Sequence, residues 1–297
     1  MDRSTIRNVV FFIFVVILSG WAGALFDAVL PQPDGDSPGM GIWLILPLLT
    51  AIAITLFSKG DWNDLGFRPN IKGNVQWYLL AALIFPVVTA TVLVIGAATH
   101  WIDVSAFDLK PFIVLFSGAL LVNFIIDIFD GPALYGYLTA QLVKLNLNDG
   151  AIYLTVGCVW GLWHLPYYLV FLSESDIQAV LPVSRGTYAI VALLTMICWS
   201  VMFIELYRVT QSVWPGIVLH MVEDALVNPL VILGFIGIAP GAEILISPIN
   251  GIITLVLYVG VGLGIRSYRR RAGGMPPCQW KETVMNSLRQ LSLLRMK

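Results

Sequence analysis

The sequence has few charged residues and few cysteines, and both shortages limit what the chain can be. Only 12% of its residues are charged, about half the share of an average soluble domain. A water-soluble globule needs a more charged surface and a disordered chain needs still more charge, so both classes are excluded. The three cysteines, Cys158, Cys198 and Cys278, are too few and too scattered for a disulfide framework or a zinc module.

An excess of one sign of charge is also missing. The chain has 17 Lys and Arg against 18 Asp and Glu, a net charge of −1, which excludes a nucleic-acid partner bound by bulk charge. Apolar residues are abundant instead, at 58% of the chain with 12% aromatics and 26 glycines, a composition typical of proteins in lipid. We therefore predict a multi-pass membrane protein whose surroundings are the lipid bilayer.

Long apolar runs predict the membrane-spanning segments, because a spanning helix needs about 20 mostly apolar residues. Eight runs have this character, at roughly 8–30, 40–57, 76–99, 112–138, 151–172, 188–207, 213–238 and 249–268. The predicted fold is therefore all-α: a polytopic membrane bundle of about eight transmembrane helices that forms one domain over residues 1–270.

The basic residues predict the orientation. Fifteen of the 17 lie on one side of the predicted membrane, and only Lys110 and Arg185 lie on the other. The positive-inside rule then places both termini in the cytoplasm, and we expect the plasma membrane as the location. Residues 271–297 form a predicted basic cytoplasmic tail, which is either an interfacial helix on anionic lipid or an ordinary basic flank with a frayed end.

Ionisable residues inside spans are costly, so they mark candidate functional groups. In the fourth predicted span, Asn123, Asp127 and Asp130 lie on one helical stripe. The pair Gly131-Pro132 follows directly, and proline at this place predicts a distorted helix beside Asp130. The span therefore predicts two buried carboxylates next to freed backbone groups.

Two histidines lie in other predicted spans. His164 follows Trp160 by one helical turn, and His220 precedes Asp224 by one turn, with Glu223 beside that pair. A carboxylate one turn from an imidazole is placed to orient the ring. At a rise of about 1.5 Å per residue, these groups and Asp130 lie roughly 10–20 Å from the cytoplasmic ends of their spans. We expect them to meet at one level in the cytoplasmic half of the membrane.

Three kinds of chemistry suit Asp130, His164 and His220. A carboxylate and two histidines can activate water and stabilise an oxyanion. The same three side chains would suit a divalent metal such as zinc with one open position. Intramembrane acids and histidines also serve proton relays in transporters, or simply bond helices together. Spacing alone does not separate these readings.

The stretches around the histidines resemble the CPBP family, the Abi-type CAAX protease and bacteriocin-processing intramembrane proteases. Gly161–Pro166 is similar to the second family motif, Phe-x-x-x-His, with Trp160 at the aromatic position. Trp214–His220 is similar to the beginning of the third motif, His-x-x-x-Asn, with Asp224 in place of the asparagine. The resemblance implies an intramembrane peptidase of about eight spans.

The first family motif, Glu-Glu-x-x-x-Arg-Gly-Tyr-Leu, is where the chain departs from the family. Asp130 takes the place of the first glutamate, whereas Gly131 and Tyr135 replace the second glutamate and the arginine. Loss of one member of a buried ion pair would leave an uncompensated charge, but loss of both does not. We interpret the stretch as a remodelled site.

The likeness runs from about residue 60 to 235 and includes the loop Leu65–Pro69. By this resemblance, Asp130 and His164 would activate water, and His220 and Asp224 would stabilise the tetrahedral oxyanion. Asp224 would either donate to the oxyanion as a protonated acid or orient His220. Four further side chains are predicted to support the site: Asp127, Trp160, Tyr135 and Glu223.

The predicted function is a CAAX prenyl protease-like hydrolase, an intramembrane endopeptidase that cleaves a hydrophobic or lipid-modified peptide reaching it from the cytoplasmic leaflet. One alternative is a catalytically silent family member that binds membrane peptides or partners, and a second is a proton-coupled transporter. The motifs do not decide whether a metal takes part, and we prefer a metal-free mechanism. A metalloprotease with a divalent ion such as zinc on Asp130, His164 and His220 is the other reading.

Overall fold

The computed structural model describes residues 3–30 and 37–273, and most of this part of the chain is helical. The α-helices are α1 (Arg3–Val29), α2 (Pro38–Phe57), α3 (Val75–Ala98), α4 (Leu109–Asp127), α5 (Thr139–Lys144), α6 (Asp149–Pro166), α7 (Glu174–Val180), α8 (Arg185–Thr210), α9 (Trp214–Ile232), α10 (Glu243–Ile246) and α11 (Ile252–Arg271). A 3₁₀ turn covers Trp62–Leu65, and π-helical turns cover Pro132–Leu138 and Tyr167–Phe171. The strands are β1 (Ile102–Asp103) and β2 (Gly237–Ile238).

Eight of these helical segments are long and apolar enough to cross a membrane: α1 to α4, Asp149–Phe171, α8, α9 and α11. The predicted polytopic helical bundle is thereby confirmed, and the chain is a multi-pass membrane protein. The fourth predicted span is not one continuous helix, because α4 ends at Asp127 and a π-helical turn follows from Pro132. The distortion predicted at Gly131-Pro132 is therefore confirmed. The predicted tail helix lies within residues 274–297, outside the described residues.

Capping residues set the first turns of several helices. Ser37 precedes Pro38 and its hydroxyl accepts from the Met40 backbone N–H at 3.0 Å. The Asn148 side chain accepts from the Ala151 N–H at 2.9 Å at the start of α6. Side-chain acceptors satisfy orphan N–H groups, and proline fits the first helical position because it has no N–H to lose.

Small residues let the spans approach one another closely. The Gly23 and Gly39 backbones are in direct contact where α1 crosses α2. On α6, a Cβ at Gly157 would lie 2.6 Å from the Ile197 Cα of α8, and one at Gly161 would lie 2.8 Å from the Leu193 side chain. Close backbone approach gives helices in lipid the van der Waals contact that holds them together.

The connections between spans gather at two ends of the bundle. At one end, residues 58–74, α5, the turn after α8 and the last turns of α11 come together; for example, Val213 donates to the Gly66 carbonyl at 2.9 Å. We call it the basic end, because it holds Lys59, Arg68, Lys72, Lys144, Arg208, Arg266, Arg269, Arg270 and Arg271. At the other end, called the opposite end, β1 pairs antiparallel with β2. The connections that contain α7 and α10 also belong to this end.

An ionic cluster closes the basic end. It consists of Asp149 and Glu205 with the guanidinium groups of Arg208, Arg266, Arg269 and Arg270. Arg269 binds Glu205 through two N–H groups at 2.6 and 2.9 Å, and Tyr153 also donates to Glu205. The cluster joins α11 to α6 and α8. Arg208, three residues further along α8, also lies 3.5 Å from Glu205.

Candidate active site

The break after α4 places two carboxylates inside the bundle. The backbone turns at Gly131, whose φ of +79° lies in the left-handed region that favours glycine. The N–H of Asp130 bonds to the Ile126 carbonyl at 3.1 Å, and the N–H of Tyr135 bonds to the Gly131 carbonyl at 2.9 Å. Asp127 and Asp130 therefore lie on either side of the point where the α-helix ends, and both are buried.

His164 faces Asp130 across a short gap. Its Nε2 lies 3.9 Å from Asp130 Oδ2, and its Nδ1 lies 3.1 Å from the Trp160 carbonyl oxygen one turn earlier. A carbonyl oxygen only accepts, so Nδ1 carries the hydrogen and the lone pair of the neutral ring is on Nε2. A gap of 3.9 Å is too long for a direct hydrogen bond and suits an atom held between the two groups.

Aromatic rings hold the His164 imidazole in place. Trp43 of α2 and Trp163 meet it edge-on with ring centroids at 5.4 and 4.7 Å, and Tyr168 stacks on it at 5.7 Å. Trp43 also donates from its indole N–H to the Trp163 carbonyl at 2.9 Å. No local pattern in the sequence indicates Trp43, because its contact with His164 joins residues 121 positions apart.

His220 has a different carboxylate partner from the predicted one. Its Nδ1 lies 3.6 Å from Asp127 Oδ1, whereas Asp224 accepts a hydrogen bond from the Asn228 amide at 2.8 Å. Trp160 meets the His220 ring edge-on at 5.8 Å. The carboxylate that faces Nδ1 thus comes from α4 and not from the residue one turn along α9.

Tyr135 fills the space where the family motif has its second glutamate and arginine. A Cβ on Gly131 would lie 2.5 Å from the Tyr135 ring, and a Cβ on Gly216 would lie 2.6 Å from it. The ring also contacts Phe203, with centroids 5.3 Å apart, and is fully buried. The Tyr135 ring therefore fills the space next to Gly131 and Gly216, which agrees with the interpretation of a remodelled site.

A cavity of about 470 Å³ joins most of the predicted site residues. Five of the eight line it: Asp130, His164, His220, Glu223 and Asp224. The other three, Asp127, Tyr135 and Trp160, are buried behind its wall. The largest share of the remaining wall is aliphatic, and aromatic and amide side chains lie among the aliphatic ones: Trp43, Tyr167, Tyr168, Tyr188, Trp199, Asn123, Asn228 and Asn250.

Several buried polar atoms at the inner end of this cavity, or directly behind its wall, lack a hydrogen-bond partner among the residues that the structure describes. They include both carboxylate oxygens of Asp127, Oδ1 of Asp130, Nδ1 of His220 and the hydroxyl of Tyr135. Buried polar groups in proteins are nearly always paired, and exceptions concentrate at functional sites. The atoms lie where three helical elements bring their ionisable groups together.

Two groups of side chains have the geometry to hold a cation, in the part of the chain that the structure describes. Ligand atoms of Asp127, Asp130 and His220 lie within 4.8 Å of one another, as do those of His220, Glu223 and Asp224. Carboxylate and imidazole donors suit a divalent ion such as zinc. The buried, unpaired oxygens of Asp127 and Asp130 fit such an ion, and His164 belongs to neither group. The predicted ligand set of Asp130, His164 and His220 stays a prediction.

Comparison with known families agrees with the motifs. The family model described as type II CAAX prenyl endopeptidase Rce1-like matches residues 110–226. This stretch contains Asp130, His164, His220 and Asp224. No curated protein matches the chain. The family match confirms the resemblance to the CAAX proteases that the histidine motifs indicated, and at the level of family it supports a CAAX-type intramembrane protease.

Proposed function

We propose that the protein is an intramembrane endopeptidase that hydrolyses a peptide bond in a hydrophobic or lipid-anchored peptide. The observation that carries the proposal is the Asp130–His164 pair, 3.9 Å apart at the inner end of a cavity inside the membrane domain. The family match over residues 110–226 supports the same class of reaction.

Water activation follows from the two facing acceptors. His164 Nε2 carries a lone pair because Nδ1–H donates to Trp160, and Asp130 Oδ2 is the second acceptor. A water between them would donate one hydrogen to each, which points an oxygen lone pair towards the substrate carbonyl. As the oxygen–carbon bond forms, the water proton passes to Asp130 and the carbonyl electrons move onto the carbonyl oxygen.

His220 is the proposed partner of that oxyanion. The Asp127 carboxylate, 3.6 Å from Nδ1, offsets positive charge on the ring, and a charged imidazole stabilises a developing oxyanion. Collapse of the tetrahedral intermediate breaks the carbon–nitrogen bond, and the proton held by Asp130 passes to the leaving amine. Asp224 stays a predicted contributor through its position beside His220 in the same cavity.

A divalent ion would fit this site on Asp127, Asp130 and His220, as described above. When bound, it would polarise the substrate carbonyl or acidify a water. The steps derived for Asp130 and His164 do not depend on it.

The test is cleavage of quenched fluorescent peptides by the purified protein in proteoliposomes. One probe carries a farnesylated C-terminal cysteine motif and another is an apolar membrane-spanning peptide. We expect Asp130→Asn and His164→Asn each to lower the cleavage rate by about 10²–10⁴-fold, the usual contribution of a general base.

Matched substitutions at exposed positions control for the change of residue type. Asp103→Asn and His100→Asn lie at the opposite end, away from the cavity, and should leave the rate unchanged. Unchanged cleavage of both probes by Asp130→Asn and His164→Asn would overturn the proposal.

A second candidate is a catalytically silent relative that binds membrane peptides. The observation that favours it is the Tyr135 ring in the space of the lost glutamate and arginine. It predicts that the native protein binds the two probes and cleaves neither. Cleavage above the level of Asp130→Asn would exclude this candidate.

A further inference from the structure

The residues around the cavity come from one half of the bundle. On α2 the lining residues Met40 and Trp43 belong to the first two turns, and on α8 they extend only from Tyr188 to Trp199. On α9 they begin at His220 and continue to the last residue. Each of these stretches is the part of its helix that lies towards the opposite end. The wall is completed there by α7 and the loop before α11, through Asp176 and Asn250.

Burial decreases along the cavity in the same direction. Asp130, His164 and Glu223 are 7%, 6% and 2% exposed. Met40 at the start of α2 is 36% exposed, and Asp176 of α7 is partly exposed. The ionisable groups therefore lie at the inner end of the cavity, and its accessible end is at the opposite end of the bundle.

The cavity does not continue from the site to the basic end of the bundle. Trp160 lies one turn from His164 towards the basic end and meets Phe203 edge-on at 4.9 Å, with Tyr135 against both rings. All three rings are fully buried. The ionic cluster, in which Arg269 joins Glu205, lies further towards the basic end on the same helices. An aromatic layer and a network of ion pairs thus separate the ionisable groups from that end.

The chemistry of the wall suits a polypeptide. Rings such as Tyr167, Tyr168 and Trp199 offer apolar faces for side chains, and the amides of Asn123 and Asn250 can pair with a peptide backbone. The side-chain oxygen of Asn250, Oδ1, is buried and has no hydrogen-bond partner within residues 3–30 and 37–273. A chain segment that inserted from the opposite end would supply a donor to it.

We propose that the substrate reaches Asp130 and His164 from the opposite end of the bundle. The positive-inside rule places the basic end in the cytoplasm, so the cleaved segment is an apolar peptide presented from the non-cytoplasmic side. That class differs from a lipid-modified tail in the cytoplasmic leaflet, which was the expectation from the sequence. The identity of the ligand as a substrate rests on the proposed function, whereas the end of the bundle through which it enters rests on the cavity alone.

Side-specific thiol labelling tests the side of access. In a background of Cys158→Ser, Cys198→Ser and Cys278→Ser, a single cysteine replaces Ala192, a small side chain of the cavity wall. Reference cysteines replace Gly186, which is exposed at the opposite end and where an added Cβ meets nothing within 4 Å, and Lys72, which is exposed at the basic end. Ala189→Cys is a matched control, because Ala189 is buried one turn away on α8 and lies outside the cavity.

Sealed vesicles of both orientations are treated with a charged, membrane-impermeant methanethiosulfonate. We expect Ala192→Cys to be labelled in the vesicles in which Gly186→Cys is labelled, and protected in those in which Lys72→Cys is labelled. Ala189→Cys should be protected in both. Met196→Cys, a second cavity position, serves if Ala192→Cys does not fold.

Two results would overturn the proposed side of access. One is labelling of the cavity cysteine in the vesicles in which Lys72→Cys is labelled, and the other is protection of the cavity cysteine in vesicles of both orientations. The labelling requires no hydrolysis, so its result is independent of the cleavage assay. Cleavage without labelling from the opposite end would leave the proposed function intact, and labelling without cleavage would leave the side of access intact.

Discussion

The bundle contains two sets of buried carboxylates that differ in how they are paired. Glu205 in the ionic cluster is fully buried and receives hydrogen bonds from Arg269 and Tyr153. Asp127 at the candidate active site is equally buried, and the described part of the chain provides no hydrogen bond to either of its oxygens. Asp130 beside it also has an unpaired oxygen.

The difference separates a structural use of buried charge from a chemical one. A buried carboxylate that is bonded to guanidinium groups holds helices together, and those bonds occupy oxygen lone pairs that a reaction would need. A buried carboxylate that lacks such partners lowers the stability of the fold and persists where function requires it. The comparison therefore predicts that substitutions in the ionic cluster reduce stability, and that conservative substitutions at the site reduce activity.

The largest loss of stability should follow removal of charge from the ionic cluster. Among the residues that the structure describes, Glu205→Gln leaves the Arg269 guanidinium with only Asp149, 3.2 Å away, as a carboxylate partner. We expect a loss of about 3 kcal/mol in the free energy of unfolding, the lower part of the range for a broken buried pair. Unfolding in mixed detergent micelles measures it.

Glu174→Gln is the matched control, because Glu174 is 58% exposed and pairs with Arg185 at the opposite end. An exposed pair contributes at most about 1 kcal/mol. Equal losses in the two variants would show that burial and multiple partners do not distinguish the cluster.

A smaller loss should follow a change at the helix break. Gly131→Ala forces a Cβ onto a φ of +79° and to within 2.5 Å of the Tyr135 ring. Backbone strain of this kind amounts to about 1–3 kcal/mol, and relief of the strain would move Asp130. We expect reduced stability and a reduced rate of probe cleavage in the same variant.

Gly118→Ala on α4 provides the comparison, because a Cβ there meets nothing within 4 Å. It should leave both quantities unchanged or raise stability slightly. The role given to the break is wrong if the two variants behave alike.

The smallest loss is expected at the rim of the ionic cluster. Arg270 is 59% exposed, and Asp149 keeps Arg208 and Arg266 when Arg270 is changed. Arg270→Gln should lower the free energy of unfolding by at most about 1 kcal/mol. Arg269→Gln should lower it by more, since Arg269 is 12% exposed and holds Glu205. The reverse order would contradict the assignment of Arg269 as the centre of the cluster.

Local sequence patterns predicted the parts of the site that depend on local structure. The apolar runs predicted the eight spans, and Gly131-Pro132 predicted the break beside Asp130. The spans and the break could be predicted because each depends on residues that are close together in the chain. The resemblance around His164 and His220 gave the two histidines that line the cavity. Each of these signals lies within a few turns of one helix.

Contacts between distant helices left no such signal. The spacing of His220 and Asp224 suggested that they form a pair, but the packing of α4 on α9 brings Asp127 to the imidazole instead. Arg269 reaches Glu205 across 64 positions, and helical spacing could suggest only Arg208. The side on which the cavity opens depends on how all the spans pack, so no motif could give it.

The most direct test of the central claim measures rate and stability together in Asp130→Asn and Glu205→Gln. The account predicts that Asp130→Asn loses cleavage of the peptide probes by about 10²-fold or more while its free energy of unfolding is unchanged or higher. It predicts that Glu205→Gln instead loses stability. An Asp130→Asn variant that unfolds as easily as Glu205→Gln, with the cleavage rate of the native protein, would contradict the claim that the unpaired carboxylates serve chemistry.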